Sequence, residues 1–208
     1  MIAALDVRYD EDASTGRGAA VIFERWDNAV PLTEYTAAFN GVGPYVPGQF
    51  FKRELPCLLA VLEKVREPLD QIIVDGFVSL GDKPGLGTHL WEALGKRVAV
   101  IGVAKNHFRY ATPVEIVRGS SKRPIYVTAV GIDPLVAAEA IRNRHGANRV
   151  PSLLKRVDHL TRSVGALAFM TAGDSRRFNL ERQASRVSAT IKDRANVEPS
   201  TRFRPRLP

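Results

Sequence analysis

Apolar and polar positions recur along most of the chain at intervals that predict a mixed α/β fold. Near the start, three apolar segments follow one another closely and predict an antiparallel meander of strands, with a turn near Asp27 and Asn28. These segments are "IAALDVRY", "GAAVIFERW" and "AVPLTEYTAAF". Residues 50–66 then carry apolar side chains at three- and four-residue steps, which predicts a helix.

The rest of the pattern alternates short apolar runs with helical segments. The run "QIIVDG" ends at Asp-Gly, as expected for a central strand covered on both faces. Further strands are predicted at "RVAVIGVAK", "VEIVRG" and "PIYVTAVG", and helices at "GLGTHLWEAL", "PLVAAEAIRNR" and "VPSLLKRVDHLTRSVG". The order β-β-β-α-β-α-β, then a short hairpin and helices, predicts a mixed sheet with helices on both faces. The ribonuclease H-like architecture has this order.

The 208-residue chain carries a net charge of +8, and most of this excess lies near its C-terminus. Residues 172–208 hold nine Arg or Lys against four Asp or Glu, and apolar periodicity fades there. We therefore predict a folded domain over residues 1–171 and a basic, flexible tail over residues 172–208. The basic balance favours a polyanionic partner such as nucleic acid.

Several observations exclude other classes of protein. The single cysteine, Cys57, lies in an apolar run, which predicts a buried and inert thiol. No segment has the ~18 apolar residues needed to cross a bilayer, and the N-terminus lacks the basic region of a signal peptide. A cytoplasmic protein with no membrane partner is therefore expected. CxxC, HExxH, GxSxG and P-loop patterns do not occur, which argues against zinc sites, serine hydrolases and P-loop NTPases.

Three acidic residues stand in or beside apolar segments, where an ionised carboxylate is costly unless it is paired or binds a metal. Asp6 interrupts the first strand, Asp75 ends "QIIVD", and Glu54 begins the apolar part of the first helix. If the first and fourth strands are neighbours, these carboxylates can meet in an oxygen-ligand site suited to Mg²⁺ or Mn²⁺. Such a site allows metal-assisted attack of water on a phosphodiester. The alternative for each acid is a turn residue or a helix cap.

Lysine and histidine residues offer weaker indications. Lys105 ends the strand "VAVIGVAK", where it is either a surface lysine with a buried stem or a contact to the scissile phosphate. His89 is either a half-buried packing residue or a substrate contact. His107, His145 and His159 show no metal-ligand spacing, which favours solvated positions.

Four motifs in order, together with an early "LDV", resemble the endonuclease V family of nucleases for deaminated bases, especially inosine. The motifs are "PYVPGQFFKRE", "IIVDG", "GLGTH" and "VIGVAK", and the resemblance covers residues 2–165. It implies a ribonuclease H-like fold, a Mg²⁺-dependent cut one nucleotide 3′ of the lesion in DNA or RNA, a role in nucleic-acid repair, and a monomer.

The matching motifs also imply the catalytic residues. Asp6, Glu54 and Asp75 resemble the family's metal carboxylates, and Lys105 resembles its active-site lysine. Asp158 falls where the family has a late acidic or histidine residue near the metal.

A second set of residues is implied to bind the substrate. Its members are Pro44, Tyr45, Val46 and Pro47 in the strand-separating wedge, Gly48 in the turn that follows, and Gly76, Gly85 and Leu86 in the pocket for the extruded base. The two prolines fix their φ angles near −65°. They thereby give Tyr45 a stiff mount from which to stack on bases. The alternative is a proline-rich turn with its tyrosine packed on the surface.

The chain departs from the family pattern after Gly76. The stretch "DGFVSLGDKPGLGTH" lacks the family's histidine and has Lys83 as its one basic residue, and Ile132 stands where the family has another histidine. Three hypotheses follow: a Mg²⁺-dependent endonuclease acting at deaminated bases, a nuclease of the same fold with another nucleic-acid substrate, or a module that binds nucleic acid without cutting it.

Overall fold

The first three strands form the antiparallel meander that the sequence predicts. In the computed structural model they are β1 (Ile2–Asp10), β2 (Thr15–Phe23) and β3 (Thr33–Asn40). β1 pairs with β2 along its whole length, from Ile2 opposite Phe23 to Asp10 opposite Thr15. The structure describes residues 1–10, 14–43, 46 and 49–163.

Parallel strands extend this meander on the other side of β1. They are β4 (Gln71–Asp75), which pairs with β1, and β7 (Ala99–Ala104), which pairs with β4. β9 (Ile125–Val130) then runs antiparallel to β7, and β8 (Val114–Ile116) forms the edge. The resulting seven-stranded sheet has the order β3-β2-β1-β4-β7-β9-β8, so the first and fourth strands are neighbours, as the site hypothesis requires.

Helices cover both faces of the sheet. They are α1 (Phe51–Leu62), α2 (Leu86–Ala93), α3 (Pro134–Arg142) and α4 (Ser152–Ser163). Because side chains alternate along a strand, Ala3 and Leu5 pack into an apolar cluster with α1 and α2, whereas Ile2 and Ala4 pack into a second cluster with α3 and α4. The predicted mixed sheet flanked by helices is confirmed.

Some boundaries differ from the prediction for local reasons. The second strand ends at Phe23 rather than near residue 26, because the Asn28 side chain accepts hydrogen bonds from the backbone N–H groups of Glu24 and Arg25 and turns the chain. The sequence pattern also missed a small hairpin, β5 (Ser79–Leu80) and β6 (Lys83–Pro84). Its strands are too short to show a period.

Other predictions meet the structure only in part. Cys57 is a free, buried cysteine, and burial, followed by the charge of Glu54, raises the pKa of its thiol to about 12. Within the described ranges, no helix is long and apolar enough to cross a membrane. The boundary at residue 171 and the predicted basic tail lie outside the described residues, as do Pro44, Tyr45, Pro47 and Gly48.

Candidate active site

Asp6, Asp75 and Lys105 lie on three neighbouring parallel strands: Asp75 ends β4, Lys105 directly follows β7, and Asp6 lies midway along β1, just past its pairing with β4. The parallel pairing of β1 with β4 ends at Leu5 and Val74, so Asp6 and Asp75 are the next residues along each strand. Strand alternation gives these three side chains the same face as the cluster beneath α3 and α4. They line one cavity there with Asp158 of α4.

Glu54 reaches the same place from the opposite face of the sheet. It lies in the first turn of α1 and is buried. A larger open cavity is lined by Glu54, Asp6, Asp75 and Asp158 together. The structure therefore brings together all four carboxylates that the sequence assigned to the metal.

Burial and neighbouring negative charge raise the pKa values of Asp6 and Glu54. Burial, and then the charge of Asp75, raises the pKa of Asp6 from its ordinary 3.8 to about 6. Burial, followed by the charges of Asp6 and Asp75, raises the pKa of Glu54 well above its usual range. The site thus concentrates negative charge that the protein compensates only in part.

Lys105 supplies part of this compensation. Its Nζ lies 2.6 Å from Asp75 Oδ2 in a half-exposed ion pair. Partial burial disfavours the ammonium form of Lys105, but the hydrogen bond to Asp75 and its charge outweigh that effect and raise the lysine pKa. Asp158 has its own cation, because Arg162 Nη2 lies 2.8 Å from Asp158 Oδ1.

The carboxylate oxygens of the site are of the type that binds a hard divalent cation, but they are not arranged around a common point. Carboxylate oxygens are the ligands that Mg²⁺ and Mn²⁺ prefer, and Asp6, Glu54 and Asp75 share one cavity with excess negative charge. In the described part of the chain, however, no three His, Cys, Asp or Glu side chains are arranged so that they could hold a metal ion. At Asp75 the carboxylate is paired with Lys105 instead.

A cation–aromatic contact beneath Glu54 is a feature that the sequence did not indicate. The Arg53 guanidinium lies 4.5 Å from the centre of the Tyr9 ring, and both residues pack beside the carboxylates. Phe50 meets the same tyrosine edge to face, with ring centres 6.4 Å apart. No sequence signal could have shown this contact, since it joins positions far apart in the chain.

The predicted base-pocket residues lie around the loop that follows Asp75. Gly76 lines the open cavity and has a φ of +131°, which favours glycine. Gly85 precedes α2 and donates its N–H to the Val78 carbonyl at 2.8 Å. A Cβ at Gly85 would come within 2.6 Å of the Phe77 carbonyl oxygen, so the start of α2 packs tightly on this loop.

Three other predicted substrate residues have different surroundings. Leu86 is buried in the cluster beneath α1 and α2. His89 stacks on Phe51 with ring centres 3.7 Å apart, and burial lowers its pKa, so its geometry matches the packing alternative. Val46 is 42% exposed, in the segment predicted to be the wedge.

Comparison with known proteins gives a consistent match. Residues 1–152 match the family model described as Endonuclease V. Endonuclease V of Streptomyces coelicolor is 31% identical over 150 residues, which cover 72% of this chain and 61% of that protein. The Streptomyces avermitilis protein is 35% identical over 111 residues, covering 53% of this chain and 47% of the relative. The chain thus spans about half the length of the curated relatives it matches.

Solved structures show the same fold. The crystal structure of Streptomyces avermitilis endonuclease V is 27% identical, with a TM-score of 0.63 over 77% of this chain and 79% of that one. Ciona intestinalis endonuclease V, in complex with a 24mer DNA containing an inosine followed by a ribo-adenosine, has a TM-score of 0.65 over 77% and 83% of the chains. At 16% identity the second likeness concerns the fold alone. The predicted ribonuclease H-like fold is confirmed.

Proposed function

Because this chain belongs to the endonuclease V family, we propose that it is a Mg²⁺-dependent endonuclease that cuts DNA or RNA 3′ of a deaminated base, inosine, in nucleic-acid repair. The observation that carries the proposal is the meeting of Asp6, Glu54 and Asp75 beside Lys105 at one edge of the sheet. The inosine-containing DNA bound by the Ciona intestinalis relative supports inosine as the base to test first.

Asp6, Glu54 and Asp75 would hold Mg²⁺, for which Mn²⁺ can substitute, and Asp158 is a further candidate ligand. When bound, such an ion lowers the pKa of the attacking water and stabilises the leaving 3′-oxygen. Lys105 is well placed to exchange its ion pair with Asp75 for one with the scissile phosphate. That exchange would free the Asp75 carboxylate for the cation.

The chain's own carboxylates also set a pH requirement. With a pKa of about 6, Asp6 is mostly ionised above that pH and mostly protonated below it. A protonated carboxyl neither holds a cation well nor accepts a proton from water. Because a proton and a cation compete for this carboxylate, the Mg²⁺ concentration needed for cleavage is proposed to rise as the pH falls through about 6.

A second candidate function is favoured by the loop between Gly76 and Gly85. This loop folds as the β5–β6 hairpin, lacks the histidine of the family pattern, and has Lys83 as its one basic residue. The carboxylates match the family motifs, whereas the loop beside them does not. This combination is expected for a nuclease that acts on a different nucleic-acid substrate. A module that binds without cutting is the third candidate.

One cleavage assay separates the three candidates. The protein is incubated with Mg²⁺ and labelled single-stranded DNA, duplex DNA and RNA, each with and without inosine. A cut one nucleotide 3′ of inosine is expected. Equal cutting of all substrates would favour the second candidate, and salt-sensitive binding without cutting would favour the third.

Two variants test the assigned carboxylates in the same assay. Asp75→Asn should abolish cleavage while leaving binding largely intact, because it removes a donor without changing the shape of the site. Glu24→Gln, an exposed residue just after β2 at the opposite end of the sheet, is the matched control and should cut normally. Full activity in Asp75→Asn would contradict the proposal. A monomer remains the expectation from the family resemblance, and a cytoplasmic location remains the expectation from the sequence. Light scattering in solution tests the monomer.

A further inference from the structure

A basic and aromatic segment follows the catalytic lysine directly. The residues from Lys105 to Tyr110, "KNHFRY", are all exposed, at the edge of the sheet that carries Asp75. Phe108 is 36% exposed and Tyr110 59% exposed. Exposed rings that contact one another form a patch rather than scattered single residues, and such patches mark interaction sites.

The rings form a connected row that starts beside the carboxylates. Phe77, two residues after Asp75, lies 6.2 Å from Phe108 between ring centres. Phe108 meets Tyr110 edge to face, with ring centres 5.8 Å apart, so neighbouring rings present separate faces rather than one flat surface. The Arg109 guanidinium stands 4.8 Å from the centre of the Tyr110 ring, which places a positive charge at the end of the row. We call the rings of Phe77, Phe108 and Tyr110 with Arg109 the aromatic platform.

The backbone under the platform is held in place. Arg149 donates a hydrogen bond to the Lys105 carbonyl at one end. His107 contacts the Tyr126 ring of β9 edge to face at 5.3 Å. The Ala111 N–H donates to the Phe108 carbonyl at 3.0 Å, which closes a turn at the other end. Exposed rings on a fixed backbone lose little conformational entropy when they bind a ligand.

We propose that the aromatic platform binds unpaired bases of a nucleic-acid strand that runs past the carboxylates. Flat rings stack on any base because every base has a π-face, and an adjacent cation pairs with the phosphates. Bases inside a duplex are already stacked on one another, so a platform of this kind selects unpaired strands. The rings and the guanidinium lie beside the proposed site of phosphodiester cleavage, and this position favours a nucleic acid over a protein as the partner.

This inference rests on the proposed function in taking nucleic acid as the partner, but it can be tested without cleavage. Full-length protein without divalent cation is titrated into labelled, unmodified oligothymidine of about 20 nucleotides, which exceeds site sizes of about 4–16 nucleotides. A mixed-sequence duplex of the same length is titrated in parallel. Fluorescence anisotropy gives both affinities.

Tyr110→Ala should weaken single-strand binding by about 5- to 150-fold, the effect of losing one stacked base. Duplex affinity should change by less than about twofold, because paired bases do not reach the ring. Tyr110→Phe keeps the ring and should bind like the parent. Leu135→Ala, an exposed apolar residue at the start of α3, is the matched control and should also bind like the parent.

The charge of the platform is tested by Arg109→Gln, which should lower the salt dependence of binding by about one phosphate contact. Its matched control is Arg97→Gln, just before the other end of β7. Tyr110→Trp introduces an indole whose fluorescence should be quenched when the single strand binds. The quenching should clearly exceed any change in the fluorescence of the parent, which has two tryptophans.

The outcomes separate this inference from the proposed function. Unchanged single-strand affinity in Tyr110→Ala, or an equal loss for single strand and duplex, would overturn the platform. Indole fluorescence in Tyr110→Trp that the single strand does not quench would do the same. If the platform variants behave as expected while inosine substrates stay uncut, only the proposed function fails.

Discussion

Replacing a carboxylate of the proposed active site should make this protein more stable, and Asp6→Asn should show the effect most clearly. The pKa of Asp6 is raised to about 6 because the ionised form is buried near Asp75 and Asp158. Asparagine has the same shape, can accept the hydrogen bond that Asp6 receives from the Val7 backbone, and carries no charge. The variant should therefore lose cleavage and gain folding free energy at neutral pH.

The size of the gain follows from the pKa. The difference between about 6 and the ordinary value of 3.8 is roughly two units. Each unit corresponds to about 1.4 kcal/mol, so the ionised carboxylate costs up to about 3 kcal/mol of folding free energy. Asp6 is only half-buried and solvent screens part of the repulsion, so we expect a gain of about 1–3 kcal/mol.

The gain should depend on pH in one direction. The folded parent binds a proton at Asp6 more tightly than the unfolded chain does, so between about pH 4 and pH 6 it holds more protons. The contribution of Asp6 to the free energy of unfolding must therefore fall as the pH rises through this window. Asp6→Asn has no ionisable group at this position and so does not lose this stability. The variant should therefore be no more stable than the parent near pH 4, and its full gain in stability should be present above about pH 6.

Urea denaturation of both proteins at several pH values, without divalent cation, measures the gain. Glu24→Gln is the surface control and should change stability by less than about 0.5 kcal/mol. Adding Mg²⁺ should stabilise the parent more than the variant, because a bound ion stabilises only the folded state that holds it. If Asp6→Asn is no more stable than the parent at neutral pH, or equally more stable near pH 4, the electrostatic reasoning is refuted.

Three further predictions concern residues around the carboxylates. Lys105→Ala removes only a half-exposed ion pair and should cost less than about 1 kcal/mol of stability, while cleavage falls by about 100-fold or more. Thr128→Val removes the hydroxyl that accepts the buried Val78 N–H at 2.9 Å and should lower the free energy of unfolding by about 1–3 kcal/mol in thermal denaturation. Gly102→Ala would put a Cβ 2.5 Å from the Gly76 carbonyl oxygen, so we expect the free energy of unfolding to fall by about 1–3 kcal/mol and cleavage to weaken. Parent-like melting and activity in this variant would show that the loop can move to accept the methyl group.

The strand and helix order was predictable because the apolar periods are strong and local. The run from Ile2 to Leu5, for example, is apolar on both faces, as a strand between two layers of helices must be. What the pattern could not predict were features held by single hydrogen bonds or by two-residue strands. The Asn28 side chain that ends β2 and the hairpin after Gly76 are examples.

The carboxylates were predictable for a related reason. A charged residue that interrupts an apolar strand is costly, so Asp6 and Asp75 stood out before any geometry was known. The contact of Arg53 with Tyr9 and the row of rings ending at Tyr110 did not stand out. Their significance lies in which side chains face one another, and this depends on tertiary packing between separate segments.

The charges of the site and of the whole chain have opposite signs, and this constrains how a nucleic acid can bind. The chain carries +8, yet the open cavity is lined by four carboxylates against Arg8 and Arg162, and Lys105 pairs with Asp75 beside it. A phosphate entering this cavity alone would meet repulsion from Asp6 and Glu54. The strand can instead bind first at the aromatic platform, where Arg109 supplies positive charge and no divalent metal ion is needed. A divalent ion would then neutralise the carboxylates and let the phosphate approach, so at constant ionic strength single-strand binding should not require Mg²⁺, whereas the proposed cleavage would.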